Sequence, residues 1–146
     1  MKKFLLFALT AILSFGFSAC NDDDDIIPAV QLPESSQSFI SQFFPDAEVI
    51  KVEKKGNHSN TEYTVKFANG CEVEFDSLGE WTDVDAPVGR TIPSGIAPTA
   101  IEEYVSNYFP GNGINEISRD YSGYEVTLVS GVDLTFSLDG QLIEIS

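Results

Sequence analysis

Among the side chains of this 146-residue sequence, few besides carboxylates have chemistry to offer. The single histidine, His58, lies in the polar stretch Gly56-Asn57-His58-Ser59-Asn60, between two runs of alternating apolar and polar residues. A Ser-His-Asp site needs its histidine gripped by packed elements, and a hairpin tip does not grip, so His58 reads as a solvated loop residue. With Cys20 read as lipidated, one histidine and one free cysteine are too few for a zinc centre, and neither a P-loop nor a glycine-rich phosphate loop occurs. Paired catalytic acids on a flat sheet would lack the pocket that raises one pKa above the other. The sequence therefore reads as non-enzymatic, with no cofactor required. Carboxylates leave calcium open: Asp83 and Asp85 are the best local pair, with Asp76 and Glu80 near them, although the loop pattern Asp-x-Asp-x-Asp-Gly is absent.

The cysteines have separate fates. Met1-Lys2-Lys3 and the apolar run from Phe4 to Phe17 have the form of a cleavable export signal, too short for a membrane span. The run ends Phe17-Ser18-Ala19-Cys20, small residues and then a thiol, which is the order of a lipobox with Phe17 in the usual leucine place. Residues 1–19 are read as a lipoprotein signal peptide and Cys20 as the lipidated (diacylglyceryl, palmitate-bearing) N-terminus. Asn21 and the run Asp22 to Asp25 follow, and residues 20–31 are expected to form a solvated acidic tether. Cys20-Asn21 with that acidic run resembles the export signal of Bacteroidetes-type surface lipoproteins. This implies outer-membrane anchoring at the cell surface, with the periplasmic face as the alternative. Cys71 is left without a disulfide partner, in strand phase with Val73 and Phe75, and is expected in the core.

The charge narrows the partners. The chain carries 23 acidic and 8 basic residues; losing Lys2 and Lys3 leaves six basic ones and a net charge of −17. Nucleic acid is excluded, because its binding needs Lys and Arg to neutralise phosphates.

The elements that position the carboxylates are legible as an internal repeat. Pro98 follows Pro33 by 65 residues, and Phe109-Pro110 follows Phe44-Pro45 by the same interval. Farther on the interval becomes 61, matching Tyr63 to Tyr124, Val65 to Val126, Gly70 to Gly131, Phe75 to Phe136 and Gly79 to Gly140. The four-residue difference falls at the Gly56–Asn60 tip, where an insertion is tolerated. Each unit predicts a helix opened by one proline and closed by the next, its apolar stripe at Phe39, Ile40, Phe43 and Phe44 or at Ile101, Tyr104, Val105, Tyr108 and Phe109. Four strands follow: 47–54, a run about Tyr63-Val65-Phe67, a run about Cys71-Val73-Phe75, and 80–84; then 114–120, runs about Tyr124-Val126-Leu128 and Val132-Leu134-Phe136, and 141–145. Residues 32–146 thus form one domain of two repeats, 32–85 and 97–146, joined by a Pro- and Gly-bearing linker, 86–96. The fold class is α+β, a tandem repeat of helix plus four-stranded antiparallel sheet with the helices on one sheet face.

That arrangement leaves the other face open. The strand phase places Lys51, Glu53, Glu62, Thr64, Lys66, Glu72 and Glu74 there from the first unit, and Glu125, Thr127, Val129, Asp133 and Thr135 from the second. Thr82 and Val84 match Ile143 and Ile145 in phase with the helix side, so Trp81, like Leu142, is expected on the open face beside Asp83 and Glu144. There it would be a binding hot spot; the alternative is that strand twist tucks it against the linker.

The repeated helix, Phe-Pro ending, Tyr-x-Val strand, glycine turn and Phe-x-x-x-Gly close resemble the PepSY-like family of exported bacterial proteins, over roughly Leu32 to Ser146. The resemblance implies a fold similar to beta-lactamase-inhibitory protein, and an inhibitor-like role in binding. No motif here aligns with that inhibitor's contact residues, so none is carried over. The expected function is a lipid-anchored envelope module that binds a protein or peptide through the open face, with Trp81, Glu62, Lys66, Glu72, Glu74, Glu125 and Asp133 as contacts. The alternatives are a calcium-binding or calcium-responsive envelope protein and a structural accessory of an export or uptake system.

Overall fold

The computed structural model describes residues 24–146. The signal peptide 1–19, the lipidation site Cys20 and the first part of the acidic run lie outside the described residues. Strand β1 (Asp24–Ile26) precedes helix α1 (Glu34–Phe43), which is followed by β2 (Val49–Lys55), β3 (Glu62–Phe67), β4 (Glu72–Phe75) and β5 (Trp81–Asp85). Helix α2 (Thr99–Tyr108) leads into β6 (Ile114–Asp120), β7 (Gly123–Leu128), β8 (Asp133–Ser137) and β9 (Leu142–Ile145). All nine strands form one antiparallel sheet in chain order, β1 to β9. The two expected four-stranded sheets are therefore joined: β5 pairs with β6 through Asp83–Ser118, Val84–Ile117 and Asp85–Glu116.

Pro33 and Pro98 stand at the N-cap positions of the two helices, one place before the first-turn position expected of them. Phe44 and Phe109 leave helical geometry just before the prolines that forbid it. Each helix lays an aromatic ring edge-on to a strand phenylalanine: Phe39 to Phe75 at 5.6 Å and Tyr104 to Phe136 at 5.5 Å. Val65, Val73, Val84, Ile101, Ile117, Val126, Leu134 and Phe136 are wholly buried beneath them. Each such side chain contributes about 1.5–3 kcal/mol, and a one-residue slip would turn a whole strand's set to water. Register is held by that cost. Cys71 is buried and free, as its strand phase predicts.

One expectation changes here. Asp24 and Asp25 were placed in a solvated tether; their side chains are exposed, but their backbone adds to the sheet, with Asp24 opposite Lys55 and Asp25 opposite Lys54. Opposite charges facing across strands explain why so acidic a segment pairs at all. The 86–96 linker joins the two units as a packed segment. Ala86, Ile92 and Ile96 are buried, and the Asn115 amide donates to the carbonyls of Ala86, Pro87 and Arg90 at 3.1, 3.0 and 2.8 Å. One side chain thereby ties the crossover to the seam between the units.

Candidate functional site

Directly opposed residues on neighbouring strands share a sheet face and lie about 5 Å apart. Lys51 opposes Lys66, which opposes Glu72; Glu72 opposes Asp85, Asp85 opposes Glu116, Glu116 opposes Thr127, and Thr127 opposes Asp133. A second row runs Glu53, Thr64, Glu74, Asp83, Ser118, Glu125, Thr135, Glu144. The face opposite the helices is therefore a grid of carboxylates crossing both units and their seam. Of the expected contacts, Lys66, Glu72, Glu74, Glu125 and Asp133 stand in these rows, half-buried, and Glu62 lies exposed beside them opposite Lys55. The two candidate calcium ligands, Asp83 and Asp85, stand in the rows as well.

Crowding alters their acid–base behaviour. Glu74 is pushed up to about 8, first by burial and then by the charge of Asp83 and a hydrogen bond shared with it. Glu116 rises to about 7 through burial, with Asp85 and Asp83 adding to it. Glu72, Asp85 and Glu125 move upward too, burial being the largest cause for each. Lys66 opposes the shift of Glu72. Lys51 pairs with Glu53 on its own strand, so cations are confined to the β2–β3 side. Among the described residues no group of three or more His, Cys, Asp or Glu side chains converges as metal ligands. The carboxylates stand as a lattice of pairs rather than as a cage.

Trp81 is not part of this face. A bulge between Glu74 and Phe75 sets Thr82 and Asp83 together opposite Glu74 and brings Trp81 opposite Phe75, a core residue. The ring is half-buried on the helix side, 6.4 Å from Phe39 and 6.5 Å from Tyr124, with the Arg119 guanidinium 4.4 Å above it. Arg119 also donates from Nε to the Trp81 carbonyl at 2.6 Å and reaches Glu80 at 3.4 Å. Strand phase alone misplaced Trp81, because a bulge inverts phase.

Glu116 was missed for the same reason. Ile114 and Ile117 are both buried although three residues apart, since a bulge between Ile114 and Glu116 breaks the alternation. The repeat carried the missing signal: at the 65-residue interval Lys51 maps to Glu116 and Val52 to Ile117, and β2 has its bulge at the matching place, between Val49 and Lys51.

A family model described as "Putative beta-lactamase-inhibitor-like, PepSY-like" matches residues 21–64 and 61–144. A solved structure from Bacteroides thetaiotaomicron, described as "a putative calcium-regulated periplasmic protein", is 38% identical, with TM-score 0.81, covering 86% of this chain and 98% of its own. A "putative periplasmic protein" from Bacteroides vulgatus is 35% identical, with TM-score 0.80, over 87% of this chain and 99% of its own. Another from that species, described as "of unknown function", is 30% identical, with TM-score 0.78, over 84% and 98%. No curated protein matches. No enzymatic family is indicated by these likenesses.

Proposed function

This chain belongs to the PepSY-like, beta-lactamase-inhibitor-like family, and on that premise we propose that it is a non-enzymatic, lipid-anchored binding module of the cell envelope whose acidic sheet face takes a cationic protein or peptide. One observation carries the reading: Glu72, Asp85 and Glu116 adjoin across three strands, with Glu74 and Asp83 beside them, and the cations lie to one side. Like charges placed opposite each other cost stability. Lysine or arginine side chains laid over the rows would remove that cost on binding and would steer the encounter. The tandem architecture adds a continuous surface spanning both repeats.

The test is binding of an immobilised Lys/Arg-rich extended peptide. Reversal at Glu72→Lys/Glu74→Lys, and separately at Asp133→Lys, is expected to abolish retention, while Glu103→Lys, exposed on the helix side, leaves it intact. Equal retention by all of these would remove the face as the site.

The description of the Bacteroides thetaiotaomicron relative favours a second reading, calcium binding at the Glu74–Asp83 and Asp85–Glu116 pairs. Calcium takes six to eight oxygens, so waters or strand adjustments would have to complete such a site. Calorimetric titration with calcium decides: no heat at millimolar metal eliminates it. The anchor at Cys20 is part of the proposal. The relatives' descriptions favour the periplasm, whereas the Asp22–Asp25 run favours surface export. Protease shaving of intact cells separates the two, since only a surface-facing chain is cut.

A further inference from the structure

The described chain begins at one particular end of the sheet. Asp24 lies opposite Lys55, beside the β2–β3 tip, and the turns Asp76–Glu80, Tyr121–Ser122 and Leu138–Gln141 close their hairpins at that same end. The β3–β4 and β7–β8 turns lie at the other end, near the C-terminal residue Ser146. Three residues separate Asp24 from Cys20, so the four backbone steps between them, fully extended, reach at most about 14 Å. A lipid on Cys20 would therefore hold this end against its bilayer, with the far end roughly 20 Å farther out, the rise of a seven-residue strand.

The three turns there each lift one large apolar side chain into solvent: Leu78 is 76% exposed, Tyr121 93% and Leu138 59%. Their own acids are occupied locally. The Asp76 carboxylate accepts from the amides of Leu78 and Glu80, Asp120 accepts from that of Ser122, and Glu80 pairs with Arg119. Lys54 and Lys55 face Asp25 and Asp24. Tyrosine and leucine on local turns suit the headgroup layer, where an apolar body can be buried and a hydroxyl kept wet.

We propose that this end of the sheet rests on the bilayer that holds Cys20, with Leu78, Tyr121 and Leu138 set into its headgroup layer. The inference rests on the lipid anchor of the preceding section. It stands the sheet upright, presenting the carboxylate face sideways and the β3–β4 and β7–β8 turns outward.

The test uses the full chain, expressed with its signal, purified and reconstituted in phosphatidylcholine vesicles carrying a headgroup nitroxide lipid. Fluorophores are placed at Leu78→Cys, Leu138→Cys and Val129→Cys, each with Cys71→Ala. Emission at 78 and 138 is expected to be largely lost and emission at 129, on the far turns, unchanged. Hydrogen exchange of the unsubstituted chain supplies a readout free of folding effects, slowing at 76–80, 121–122 and 138–141 only when vesicles are present. Vesicle flotation without quenching at 78 and 138 overturns this orientation and leaves the anchor standing. A chain with unmodified Cys20 by mass, absent from the vesicles, overturns both. Slowing that appears without vesicles and grows with protein concentration assigns the turns to a second copy and also overturns the proposal.

Discussion

The two halves of the sheet are built to one plan and meet different fates. Val84 on β5 and Ile145 on β9 occupy the same repeat position, yet Val84 is fully buried and Ile145 is 51% exposed. The β5 strand is flanked by β4 and β6, whereas β9 is the last strand of the sheet. Repeat position sets which face a side chain seeks; neighbours decide how much water it loses. The open face differs too. Lys51 and Lys66 of the first unit map to Glu116 and Thr127 of the second, so the second unit contributes carboxylates with no lysine of its own. At the helix entry, buried Ser36 donates to the Gly79 carbonyl at 2.9 Å, while its counterpart, Ile101, is an apolar plug. Equivalent backbone thus accepts a polar lock in one unit and a packed methyl in the other.

The largest expected contrast lies at the matched glycines. Gly79 and Gly140 both have left-handed backbone, φ +83° and +81°. A Cβ on Gly79 would collide with Pro33, Ser35 and Ser36 at the start of α1, whereas one on Gly140 would meet only the Ala100 methyl, at 2.8 Å. Gly79→Ala should cost about 3 kcal/mol and Gly140→Ala about 1–2 kcal/mol in denaturant unfolding; equal losses would show that the α1 contact is not tight. Next comes Val84→Ala against Ile145→Ala. The first removes wholly buried methyls at about 2 kcal/mol and the second, at the exposed edge, less than about 1 kcal/mol.

A smaller effect is carried by pH. Glu74 and Glu116 have folded pKa values of about 8 and about 7, above their ordinary value. Their contribution to stability is therefore complete below pH about 4.5 and is lost as pH rises through 7 and 8. Both are half in water, so screening holds the combined loss to the order of 1–2 kcal/mol. Exchanging residues between units tests this. Glu74→Thr copies Thr135 and Glu116→Lys copies Lys51; each should raise stability at pH 8 and leave it nearly unchanged at pH 4, a difference read in thermal melts. A flat pH profile of the parent chain would show that the rows are not strained. The smallest effect is Trp81→Leu, which copies Leu142 and removes the ring over which the Arg119 guanidinium lies, at about 1 kcal/mol.

Much of the candidate site was legible because alternation survives where strands are regular. Glu72 and Glu74 stand between buried neighbours, Glu125 and Asp133 between a half-buried and a buried one, and their face follows from that period of two. Trp81 and Glu116 were not legible from alternation, because both lie beside bulges. The bulges themselves recur at the repeat interval, between Glu74 and Phe75 and again between Thr135 and Phe136. Comparing units recovers what reading one strand loses.

The amino-acid order alone determined the helices, the hairpins, the repeat and the facing of most side chains, because these depend on local periodicity, proline and glycine. The proposed export signal and lipidation at Cys20 are read from the same order, as linear features that need no fold. The joining of two four-stranded halves into one sheet was decided by tertiary structure, since β5 and β6 are brought together only when the Ala86–Ile96 crossover packs into the core. That seam sets Asp85 against Glu116. Repulsion between side chains 31 residues apart in the sequence has no local signature, and it is what turns scattered acids into a surface.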